Sequence, residues 1–151
     1  LVYRPITKPI PKDELNTISE ALKIAIEGIP IKTCLQTFFG DFSQILPEAL
    51  EFSVDHFGID LYETNLEKLK EYNLEKGVAL GLVDARSSLV ENRDELVRVG
   101  REIIESIYRS KIGEVFVCPN CDLEFLPWER AEEKMRVVGN VAKLLREEFY
   151  G

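Results

Sequence analysis

Two thiols three positions apart, Cys118 and Cys121, sit in the run 113–127, GEVFVCPNCDLEFLP. A two-residue gap lets both sulfurs reach one zinc ion, and the same spacing serves a redox dithiol. The third reading is one buried cysteine beside one incidental one. No second cysteine pair completes a structural zinc site, and residues 122–126 separate the thiols from the next helix, unlike a dithiol at a helix start. Carboxylates stand at comparable positions earlier in the chain. Asp60 and Glu63 follow one apolar run, and Asp84, with Arg86 beyond it, interrupts another. The three acidic strand ends and a thiol compose a candidate cation or metal site. For each acid the alternative is a helix cap or a solvated loop carboxylate; Asp41 and Glu63 are open to it more than Asp84. Arg86 can pair with Asp84 or with a substrate carboxylate. His56 is the only histidine and precedes a strand, so a structural role is expected.

Such residues meet only if the elements carrying them converge. Residues 12–27 read as an amphipathic helix with Leu15, Ile18, Leu22 and Ala25-Ile26 at helical spacing, stopped by Gly28 and Pro30. Strands are expected over 31–39, 57–62, 77–83 and 113–118. Helices are expected over 43–52 (capped by Ser43), 66–72 (capped by Asn65), from Asn92 to 108, and 128–149. The long helix turns Leu96, Val99, Ile103, Ile104 and Ile107 inward. The last turns Ala131, Met135, Val138, Val141, Ala142 and Leu145 inward, and Trp128 at its start is expected to pack. The three prolines of residues 1–11 make an extended lead-in. A helix followed by four strand–helix units means a parallel α/β sheet, whose strand C-termini gather the run from Gln36 to Asp41, Asp60 with Glu63, Asp84 with Arg86, and Cys118 with Cys121 on one rim.

The 151 residues suffice for one domain with a core, and a formal charge of −8 argues against nucleic acid or anionic membrane as partner. No apolar run approaches the ~20 residues of a membrane span, no signal peptide is visible, and an odd cysteine count fits a reducing cytoplasm.

Pro119-Asn120-Cys121-Asp122-Leu123, then Phe125-Leu126-Pro127, Ala131 and Lys134, resembles the end of the cobalamin-independent methionine synthases. Residues 81–87 (GLVDARS) with Val90-Glu91, and residues 35–41 (LQTFFGD), look like earlier strands of the same barrel. The resemblance implies the C-terminal half of a (β/α)8 TIM barrel, because a whole one needs ~250 residues. It also implies that the upstream half is missing and is supplied by the rest of the protein or by a second copy. The implied activity is methyl transfer to the thiol of homocysteine, which the family activates on zinc. The methyl donor is a folate or a methylcobamide protein. Carried over by position, the late cysteine ligand is Cys121 and the glutamate ligand is Glu63. Asp84 would hold the substrate amine or shape the pocket, and Asp60, Arg86 and Gln36 would line it. The family's His-x-Cys ligand pair is matched here by Gln36 and Phe38, with Cys34 one layer deeper. A short, single-barrel archaeal-type relative fits these mixed features, with the isolated half inactive. Two alternatives stay open: a metal-free partner or folate-binding barrel of the same superfamily, or a transferase acting on another thiol such as coenzyme M.

Overall fold

A computed structural model describes residues 10–109 and 111–151 of the chain, so most of the expected lead-in, residues 1–9, lies outside the described residues. Helix α1 (Lys12–Ile26) buries Leu15 and rests Ile18 and Leu22 on the core. It stops where Gly28 takes φ 75°, a conformation that a side chain would penalise. Strands β1 (Cys34–Gln36), β2 (His56–Asp60), β3 (Gly77–Val83) and β4 (Val115–Pro119) then pair in sequence order, all parallel. Helices α2 (Leu66–Leu69), α3 (Arg93–Ile107) and α4 (Trp128–Tyr150) lie between and after them.

The two central strands are buried along their whole length, as befits parallel strands covered on both faces. Phe57 and Ile59 of β2, with Val78, Leu80 and Leu82 of β3, join one core with Leu96, Ile103, Ile104 and Ile107 of α3 and Val138, Val141 and Leu145 of α4. Register partners in a parallel sheet point to the same side. The opposite face therefore carries Gln36, Gly58, Ala79 and Phe116 in one row, and Asp60, Gly81 and Cys118 in the next toward the strand C-termini. The middle of that face is made of small residues. Side chains from the outer strands β1 and β4 line one cavity there, which includes Gln36, Phe38, Cys118 and Cys121.

Several boundaries differ from expectation. β1 is three residues long, because Phe39 adopts φ 61° and turns the chain out of the sheet; Thr37 still donates its N–H to the Gly58 carbonyl at 2.8 Å. The helix expected over 43–52 is two short 3-10 segments, Phe42–Ile45 and Glu48–Glu51, on either side of Pro47. The cap of the first is Asp41, not Ser43: its Oδ1 accepts from Ser43 N and Asn65 N, both at 2.9 Å. Asn65 caps α2 as expected, although the helix closes after Leu69. In α4 the inward position given to Met135 belongs instead to Lys134, which is wholly buried, while Met135 and Trp128 are exposed. No described helix is long and apolar enough to cross a membrane.

Candidate functional site

The ends of β2 and β3 deliver Asp60 and Asp84 to neighbouring places, and the loop after β4 brings Asn120 between them. Asn120 is fully buried. Its Nδ2 donates to Asp84 Oδ1 at 3.0 Å and to Asp60 Oδ1 at 3.3 Å, and its Oδ1 accepts from Ala85 N at 2.9 Å. The register between β3 and β4 shifts between Gly81 and Val83, and Asn120 N then binds the Val83 carbonyl at 2.8 Å. The amide nitrogen thus holds two carboxylates side by side while the amide oxygen is anchored by the Ala85 N–H, satisfying the requirement that buried polar groups be paired.

Arg86 supplies the positive charge. Its Nε meets Asp84 Oδ1 at 3.1 Å, and its Nη1 meets Glu63 Oε1 at 2.8 Å and Asp60 Oδ2 at 3.4 Å. The last contact is an ion pair without hydrogen-bond geometry, and Asp60 Oδ2 is buried with no hydrogen-bond donor. The Phe39 ring centroid lies 5.8 Å from Arg86 Cζ, within cation–π range. Burial disfavours the charged form of Asp84, but the donors Asn120 and Arg86 outweigh it and hold the carboxyl below its usual range. Burial likewise works against the Arg86 charge, and its three carboxylate neighbours overcome it.

A second network backs the first. The Lys134 ammonium, 0% exposed, donates to both oxygens of Glu91 at 2.9 Å and to the Leu89 carbonyl at 2.5 Å. Glu91 Oε1 in turn accepts from Asp84 N at 2.8 Å. Tyr62, whose hydroxyl binds the Leu82 carbonyl at 3.1 Å, stays protonated because it is partly buried and faces the carboxylates of Glu91 and Asp84.

The thiols are all free. Cys121 is half-buried beside the cluster. Its pKa is raised, by burial first, then by Asp60 and Asp84 against the opposing effect of Arg86. Cys118, more deeply covered, is pushed up to about 11 by burial. A redox dithiol needs a depressed thiol pKa, and neither has one.

The expected residues therefore separate into groups. Asp60, Glu63, Asp84 and Arg86 form one contact cluster, and the Cys121 thiol lies within its field. Gln36 lies over Gly58, where a Cβ would come within 1.9 Å of its amide oxygen, and it faces the cavity shared with the thiols. Asp41 is a cap and takes no part. His56 sits at the far end of β2, buried, with Nε2 2.8 Å from Glu114 Oε2, a structural placement as expected. Asn120, Phe39 and the Lys134–Glu91 pair were not among the expected site residues. An asparagine between a proline and a cysteine, and a lysine on an apolar helix stripe, were the available signals.

The donor set does not fit zinc. A catalytic zinc takes three protein ligands, yet of the four positions that the resemblance implies only Cys121 and Glu63 carry groups that bind it, and Glu63 is already paired with Arg86. The positions that the resemblance gives to an imidazole and a thiolate hold Gln36 and Phe38. Among the described residues no three His, Cys, Asp or Glu side chains are grouped to hold a metal ion.

Comparison with known proteins adds the following. Residues 11–144 match the family described as the catalytic domain of cobalamin-independent synthase. A protein named methionine synthase from Saccharolobus solfataricus is 30% identical over 141 residues, covering 91% of this chain and 42% of the relative. Another so named, from Sulfurisphaera tokodaii, is 25% identical and covered to 40%. The chain thus spans less than half the length of these curated relatives. A solved structure of a B12-independent methionine synthase from Shewanella sp. W3-18-1, in complex with selenomethionine, superposes with a TM-score of 0.73 over 90% of this chain and 45% of that one. At 18% identity this likeness is one of fold, and it identifies the parallel sheet as half of a TIM barrel.

Proposed function

Because the chain belongs to the cobalamin-independent synthase family, by its catalytic domain, we propose that it forms part of a methyltransferase that methylates the sulfur of homocysteine. In this reading the rim at the ends of β2 and β3 holds the amino-acid end of the substrate. The observation that carries it is the charge balance of that rim: Asp60, Glu63 and Asp84 face a single guanidinium, and Asp60 Oδ2 is buried without a donor. An α-ammonium group supplies both the missing donor and the missing charge. Asp84, kept ionised by Asn120 and Arg86, and Asp60 are the acceptors; Arg86 is within reach of the substrate carboxylate. The sulfur would then lie toward Cys121 and Gln36. Methyl transfer would form the S–CH3 bond as the donor's bond to methyl breaks; the bonding pair stays on the donor, which takes up the proton that the thiol gives up. The donor class, a folate or a methylcobamide protein, and the remainder of the rim belong to the part of a barrel that lies beyond these four strands.

Calorimetric titration of homocysteine into the full-length protein tests this. Binding is expected, and Asp60→Asn should weaken it at least about tenfold, the cost of one charge-assisted hydrogen bond. Homocysteine that fails to bind while a folate does would overturn the reading. That outcome favours a metal-free partner barrel, for which Gln36 and Phe38 at the expected ligand positions and the bound state of Glu63 speak.

A further inference from the structure

We infer that Arg86 is the resident cation of this rim and stands in for the zinc that the family resemblance assigns to it. The inference concerns how the site balances its own charge, so it holds whichever thiol or partner the protein takes.

The four ligand positions implied by the resemblance fall on residues 36, 38, 63 and 121, all within the chain. Two of them carry groups that do not serve zinc: a carboxamide, and a phenyl ring with no donor atom. The third, Glu63, gives Oε1 to Arg86 Nη1 at 2.8 Å. What surrounds Arg86 is a site for a flat cation. Nε and the backbone N–H of Arg86 both reach Asp84 Oδ1, at 3.1 and 3.2 Å. Nη1 lies between Glu63 and Asp60. Phe39, in the loop after β1, sets its ring against the guanidinium. A bulky residue at φ 61° is held there against its preference, and this conformation accompanies the approach of the ring to the guanidinium. Guanidinium donors in a rigid fork match carboxylates at hydrogen-bond distance, whereas zinc requires its ligands at about 2.0–2.3 Å in a tetrahedron. A divalent ion would also have to settle beside a fixed positive charge. The phenyl ring at position 38 and the cation at 86 thus point the same way: a position that the resemblance gives to a metal ligand holds no donor, and a built-in cation stands among the carboxylates where a metal would otherwise sit, offsetting part of their charge.

The test uses the full-length protein purified without chelators. Metal content by plasma mass spectrometry should be far below stoichiometric zinc, and added Zn2+ or Mn2+ should leave the melting temperature unchanged. In Arg86→Met the carboxylates lose their cation. That variant should melt lower and then regain at least about 3 °C when Mn2+, an ion suited to oxygen donors, is added. Arg86→Lys, which keeps the charge but not the fork, should fall between. Stoichiometric zinc in the wild type that disappears in Cys121→Ser would overturn the inference, as would an Arg86→Met protein that melts like the wild type. The zinc measurement decides even if Arg86→Met does not fold.

Discussion

The two ends of the sheet are both polar, and they are built differently. At the N-terminal end each acid meets compact, local partners. Asp55 accepts from the Thr33 N–H and hydroxyl at 2.7 and 2.9 Å, and Glu114 lies between His56 and Lys32. The Lys76 ammonium is taken up by the carbonyls of Phe52 and Val54. At the C-terminal end one guanidinium serves three carboxylates from two strands, one buried oxygen has no donor, and the arrangement is held from behind by Lys134 through Glu91. The first end is settled by its own residues. The second sets three carboxylates against one guanidinium, an imbalance that would suit the ligand proposed for it and does little for stability alone. In βα barrels the C-terminal end is where chemistry is usually built.

The sharpest way to break this contrast is Lys134→Met. It removes a buried cation of similar length and leaves Glu91 without its main partner, so unfolding free energy should fall by about 3–5 kcal/mol in a denaturant titration. A loss below that of variants at the opposite end would mean that the rim is not braced from α4. Next in size is the effect of Asn120→Ala, read through pH. Asp84 has a depressed carboxyl pKa in the fold, so its contribution is present above the ordinary aspartate value of about 3.9 and is lost as pH falls through the folded value. Removing the Asn120 donor brings the two values together. The drop in stability below about pH 4 should therefore become shallower in Asn120→Ala, and shallower still in Asp84→Asn. An unchanged acid limb would mean that Asn120 does not hold the carboxylate ionised. Smallest is Glu114→Gln at the opposite end. Glu114 is solvent-exposed, and its melting temperature at neutral pH should match the wild type. A large loss there would erase the distinction between the two ends.

Much of the fold was legible in the sequence because β2, β3, α3 and α4 carry strong periodic apolar patterns with clear punctuation. Residues 77–83 form β3 as read, and Asn92 caps α3 with its side chain accepting from Asp94 and Glu95. The misreadings lie where backbone conformation overrides pattern. Nothing in LQTFFGD announces that Phe39, rather than Gly40, takes the positive φ, and that turn ends β1 early. The convergence of Asp60, Glu63, Asp84 and Arg86 could be argued from strand ends alone. The assignment of Glu63 to a metal could not be checked that way, because which cation occupies a group of carboxylates depends on side-chain reach across two loops. Asn120 stood in the motif that carries the resemblance, but its role could not be read there, since the amide becomes a hub only through the register shift beside it. Lys134 was hidden by the rule that lysines face water, a rule that fails where a carboxylate lies beneath the helix.

The bare backbone of Gly58 under Gln36 has a practical consequence. A single methyl group at that position cannot be accommodated while the amide stays where it is, for the contact would be 1.9 Å. An alanine there would act as a wedge, displacing the Gln36 amide in the hollow that it shares with Cys118 and Cys121. The room available to Gln36 and the two thiols beside it is therefore set by a missing side chain on the neighbouring strand.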